Sequence, residues 1–222
     1  MLTKANDKAL LCFKEAHRVR RDNSDADSRK MAELAFDMGK FYDMSGNYVN
    51  AGKSYSEALE IYKVQFPGAD RIPQVLVLVA TTYEKREMFA EASEWLSSAI
   101  AIMRSKKQEE KGDEVDDEKK EQTQRVILTL VTSHAKCLSR KGDFKAALAS
   151  YEDHISLVPD DAADRVEIVS DDMFQMGNLC ARMNRLDASI VYFEECIEMR
   201  KKEGDMEEGV AKAFFNMAVV QE

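Results

Sequence analysis

Three histidines (His17, His134 and His154) and four cysteines (Cys12, Cys137, Cys180 and Cys196) are the residues best suited to acid–base, nucleophilic or metal chemistry. Their spacing assembles none of it. No cysteine pair has the C-x-x-C spacing of a redox or zinc site, and neither H-x3-H nor H-E-x2-H occurs. The phosphate-cradling patterns G-x-G-x-x-G and G-x4-G-K-[ST] are also missing, so no cofactor is expected and the chain reads as a non-enzyme. The residues left for chemistry are cations, one amide and aromatics: Lys40, Lys85, Lys136, Arg140 and Arg182, Asn178, and Phe36, Phe174 and Phe215. Such a set pairs carboxylates and buries apolar anchors; it binds and does not transform.

The elements that carry these residues recur. Five segments repeat a small, large, small pattern at offsets 0, 4 and 7, which lie on one helical face. They are Ala9-x3-Phe13-x2-Ala16, Ala51-x3-Tyr55-x2-Ala58, Ala92-x3-Leu96-x2-Ala99, Ala147-x3-Tyr151-x2-His154 and Ser189-x3-Phe193-x2-Cys196. Successive leading residues are 42, 41, 55 and 42 apart, so one interval holds an insertion of about 14 residues. Twelve residues before four of these segments stands a second motif: Met38-Gly39-x2-Tyr42, Val79-Ala80-x2-Tyr83, His134-Ala135-x2-Leu138 and Met176-Gly177-x2-Cys180. Between the motifs lie turns at Gly46-Asn47-Tyr48, Glu87-Met88-Phe89, Gly142-Asp143-Phe144 and Asn184-Arg185-Leu186. Gly and Asn there suit the left-handed residue that ends a helix. The unit is helix, tight turn, helix, and the low glycine and proline content (9 and 3 of 222 residues) agrees with long helices.

This pattern resembles the tetratricopeptide repeat, W-x2-L-G-x2-Y…A-x3-F, over nearly the whole chain. The leading Trp is replaced by Ala35, Leu76, Val131 and Met173, and the terminal Pro is clear only as Pro159. The long period is similar to that of kinesin light chains and Pins-type adaptors, and residues 204–216 look like a Pins-type inter-repeat stretch. The resemblance implies an all-α solenoid of stacked antiparallel helix pairs that binds a protein or peptide in its concave groove. The expected organisation is a half repeat over 1–26, repeats over about 27–67, 71–106, 123–159 and 161–203, and a half repeat over 206–222. Residues 106–122 form a charged insertion that extends both flanking helices around a flexible centre at Gly112-Asp113. With half repeats at both limits, the sequence reads as a slice of a longer array.

In this register His134 stands where Met38, Val79 and Met176 stand, and His154 where Ala16, Ala58, Ala99 and Cys196 stand. Both are expected as core histidines satisfied by a neighbour, and the cysteines as reduced small hydrophobes. The expected concave-face residues are Phe36, Lys40, Lys85, Lys136, Arg140, Phe174, Asn178, Arg182 and Phe215. Glu33, Asp37, Asp43 and Glu84 make the N-terminal part of that face acidic, and the later cations make its C-terminal part basic. The basic end suits a partner with acidic groups beside an apolar anchor. The clamp of lysine and asparagine by which chaperone cofactors of this fold hold a C-terminal carboxylate is not reproduced, since Phe36, Leu78 and Thr132 occupy its positions.

A net charge of −9 argues against nucleic acid as partner. No apolar run approaches the ~20 residues that cross a bilayer, and the N-terminus lacks a secretion signal. A cytoplasmic scaffold or adaptor is the leading expectation. The alternatives are a structural subunit of a large cytoskeletal or ciliary complex, which the apolar last helix favours, and a regulatory module of a longer enzyme or motor chain.

Overall fold

A computed structural model describes residues 11, 15, 28–109, 116–202 and 208–221. Among these, nine helices form and no strand: α1 (Ser28–Met44), α2 (Tyr48–Gln65), α3 (Arg71–Lys85), α4 (Phe89–Glu109), α5 (Asp117–Lys141), α6 (Phe144–Leu157), α7 (Arg165–Arg182), α8 (Leu186–Lys202) and α9 (Glu208–Gln221). Leu11 and Glu15 are helical, and the rest of the expected half repeat over 1–26 lies outside the described residues. The chain is an all-α solenoid of helix pairs. It divides into two compact units, Met1–Lys120 and Glu121–Glu222.

Among the described residues, the turn within each helix pair closes on one device. Gly46, Glu87, Gly142 and Asn184 have φ of 76°, 60°, 91° and 58°. In each turn the left-handed residue donates its N–H to a carbonyl three residues back. The next residue donates to one five back, as in Asn47 to Tyr42 (2.9 Å) and Met88 to Tyr83 (2.9 Å). This paired bonding satisfies carbonyls that the helix end would otherwise orphan. Asn47 and Asp143 then cap the following helices, accepting from Asn50 N (3.2 Å) and Ala146 N (3.3 Å). Glu87 is the costly member, because a Cβ in the left-handed region clashes with the following carbonyl. Glu87→Gly is expected to stabilise the chain by about 1 kcal/mol, read as a higher urea midpoint at unchanged slope.

Small residues let the paired helices meet. In the first unit Gly39 of α1 faces Tyr55 of α2, and a Cβ at Gly39 would lie 2.4 Å from Tyr55 Cδ1. Gly52 continues the contact from α2 to α3, against Thr82 Oγ1. Ala32, Ala51, Ala58, Val75, Val79 and Ala99 complete the core. The same construction recurs in the second unit. Ala135, Leu138, Ala147, Tyr151, Met176 and Leu179 join α5, α6 and α7, and Phe193, Cys196, Ile197, Val210 and Ala213 join α8 to α9. Gly177 of α7 takes the ring of Phe193, 2.6 Å from where a Cβ would stand. Of the charged insertion, residues 106–109 end α4 and residues 117–122 begin α5, while Gly112-Asp113 lie outside the described residues.

Candidate functional site

The first helix of each pair carries the candidate residues at fixed slots counted from its small residue (Gly39, Ala80, Ala135, Gly177, with Ala218 next in register). In the first unit, Lys40 is exposed and lies 4.6 Å over the Phe36 ring. Lys85 of α3 reaches back to α1, binding Asp43 at 2.7 Å, and lies 4.9 Å over the Tyr48 ring. Its charge is thus already engaged. Phe36, expected on the surface, is only 5% exposed. Its ring tilts onto Tyr55 (centroids 5.8 Å apart) and is covered by Lys40 and Arg71. That position therefore supplies core packing instead of a contact surface.

In the second unit, Lys136 and Arg140 of α5 and Arg182 of α7 are exposed. Arg182 stacks 4.4 Å over the Phe144 ring, which orients its guanidinium at the mouth of the α5–α6 turn. Asn178 is half-buried and its Oδ1 accepts from Asn216 Nδ2 (2.8 Å), tying α7 to α9. Phe174 is half-buried against Phe193, centroids 5.7 Å apart, as Phe36 is against Tyr55. Phe215, next in the same slot, is 69% exposed. Lys136, Arg140, Arg182 and Phe215 are thus exposed residues of the first helices of this unit, while Phe174 and Asn178 each contact a neighbouring helix.

Sequence reasoning passed over Asp172. It is buried on α7 and bonds His154 Nδ1, while His154 Nε2 lies 3.0 Å from Thr132 Oγ1 of α5. Thr132 also donates to its own helix at Leu128 O (3.1 Å). Burial pushes the Asp172 carboxyl above the usual range, and the His154 bond draws it back in part. Hydroxyl, imidazole and carboxylate stand in the order of a nucleophilic triad. His154 and Asp172 are only 5% and 4% exposed and Thr132 is half-buried, and the set forms a polar tie across three helices. The signal was legible: Asp172 stands in a column otherwise held by Leu34, Val75, Leu130 and Ala213.

His134 pairs with Ser150 Oγ at 3.1 Å, and burial holds its imidazole below the ordinary range. Cys137, Cys180 and Cys196 are buried thiols, and burial raises the pKa of the last two. His17 and Cys12 lie outside the described residues. Among the described residues, no group of three His, Cys, Asp or Glu could hold a metal ion, and no helix is long and apolar enough to cross a membrane.

The tetratricopeptide repeat family model matches residues 173–210, which span α7 and α8. The repeat it describes is the one that the other pairs reproduce in slot and turn. Over residues 173–210 the chain thus carries a tetratricopeptide repeat. Solved structures share the solenoid. BtubC (BKLC) from P. vanneervenii matches at TM-score 0.59 and 18% identity, over 98% of this chain and 84% of that one. The apo form of RapI matches at TM-score 0.69 and 11% identity, over 97% and 54%. The apo form of the quorum sensor NprR from B. thuringiensis matches at TM-score 0.59 and 14% identity, over 96% and 53%. This chain thus spans about half the length of the last two. No curated protein sequence matches.

Proposed function

We propose that this tetratricopeptide-type protein is a non-catalytic, cytoplasmic scaffold or adaptor. It captures a peptide or protein segment on the first-helix side of its second unit. The observation that carries the reading is the set of exposed cations Lys136, Arg140 and Arg182 with the exposed Phe215. Arginine forks pair carboxylates in two-point contacts, and an open ring supplies the apolar area that such contacts lack. The partner is therefore an acidic segment with an apolar anchor. The fold likeness to the quorum sensor NprR supports a ligand-binding role. A second reading, membership of a larger complex, rests on the exposed apolar side of α9.

The test is selection of random peptides on the immobilised chain, followed by titration of the best binder. Selected peptides should be enriched in Asp and Glu beside an aromatic or aliphatic residue. Arg140→Glu/Arg182→Glu should weaken binding at least about tenfold, since each such loss costs roughly 1.4 kcal/mol or more. Unchanged affinity in that variant would remove these residues from the site.

A further inference from the structure

The cations of the second unit gather at one end of two of its first helices. Arg140 lies in the last turn of α5 and Arg182 in that of α7, with Lys136 one turn before Arg140. Arg140 and Arg182 hold the same slot, five residues after Ala135 and Gly177. Arg182 stacks 4.4 Å over Phe144, which follows Arg140 by four residues. That contact draws the guanidinium of α7 to the end of α5 where Arg140 stands. Residues 131–141 and 173–182 contain no Asp or Glu. The turn between α5 and α6 has one acid, Asp143, which caps α6 at Ala146 N and stands between Lys141 and Lys145 in the sequence. Asp172 is within electrostatic reach of Lys136, but it is buried and bonded to His154. The first unit differs, since its Lys40 pairs with Asp37 and its Lys85 with Asp43.

The amount of charge decides which acidic group fits. Arg140 has contacts within the protein, yet Lys136 and Arg182 alone bring two positive charges. The carbonyl end of α7 offsets about half of one. A carboxylate supplies a single negative charge, and one arginine fork takes both of its oxygens. A phosphomonoester supplies about 1.5 to 2 and has three acceptor oxygens, so it serves the Arg182 fork and the α5 cations together. Stacking on Phe144 also holds the fork in place before the ligand arrives. We infer that the acidic group of the captured segment is a phosphorylated serine or threonine, held by Arg182 with Lys136 and Arg140 on its remaining oxygens. The inference rests on the proposed capture of an acidic segment and names the chemistry of its acidic group. Phosphorylation of the partner then switches its capture on.

Three peptide libraries passed over the immobilised chain test it, with random flanks around a fixed central phosphoserine, glutamate or serine. The phosphoserine library should be retained at least about tenfold better than the glutamate library, and the serine library least. Arg182→Lys keeps the charge and loses the fork, so it should remove most of the phosphoserine advantage with a smaller effect on the glutamate library. Arg140→Glu/Arg182→Glu should abolish retention of both. These side chains are exposed, and unchanged far-UV dichroism checks the fold of each variant. Equal retention of the phosphoserine and glutamate libraries, lost for both on charge reversal, would overturn the inference and leave capture of an acidic segment standing. Retention indifferent to charge reversal, or retention of no library, would overturn both. Displacement of the phosphoserine peptides by inorganic phosphate, or by vesicles of phosphatidylserine and phosphatidylcholine, at equal phosphate concentration would assign the site to a bare anion or a lipid surface and overturn the inference as well.

Discussion

Asp172→Ala is expected to destabilise the second unit by about 3–5 kcal/mol, the usual cost of taking one partner from a buried pair. The carboxylate faces the His154 imidazole where neither has access to water to compensate. Thr132, His154 and Asp172 sit on α5, α6 and α7, so the loss falls on the joint between successive repeats. Alanine leaves His154 Nδ1 buried without its acceptor and opens a cavity beside it. Urea unfolding followed by far-UV dichroism at pH 7 reads this as a lower midpoint. The double variant Asp172→Leu/His154→Ala restores the residue types that Leu34 and Ala58 hold in the first pair. It should recover most of the loss, because removing both partners spares the orphaned group. A single variant as stable as wild type would show that the tie contributes nothing.

Phe193→Ala is the second large effect, at about 3–5 kcal/mol. The ring is fully buried, packs on Phe174 and fills the hollow left by Gly177. Gly177→Ala disturbs the same contact from the other side. Its Cβ would stand 2.6 Å from Phe193 Cε1, an overlap that costs roughly 1–3 kcal/mol against about 1 kcal/mol gained in helix propensity. The two sites couple. Gly177→Ala/Phe193→Leu copies the Ala80 and Leu96 combination of the second pair, so its cost should be less than the sum of the two single changes. Strict additivity in the same urea experiment would count against this fit.

The repeat was legible because packing repeats: a ring at the large slot requires Gly or Ala opposite, and the sequence shows both at constant distance. The turns were legible through Gly46, Gly142 and Asn184, whereas Glu87 gives no sign of its left-handed backbone. Exposure at the slot three before the small residue was not legible from register alone. Phe36 and Phe174 are drawn inward because each finds a second-helix ring, Tyr55 or Phe193. Phe215 occupies the same slot and stays exposed. Periodicity assigns a side, and the neighbour across the gap decides burial. The His154–Asp172 tie escaped for a related reason, since each residue is odd only in its own column and the compensation shows when the helices are brought together.

We propose capture of an acidic, apolar-anchored segment on the first-helix side of the second unit. Photo-crosslinking of the selected peptide, followed by mass spectrometric mapping, tests it most directly. Crosslinks are expected on α5, α7 and α9 around Lys136, Arg140, Arg182 and Phe215. Crosslinks confined to α6 and α8 would contradict it.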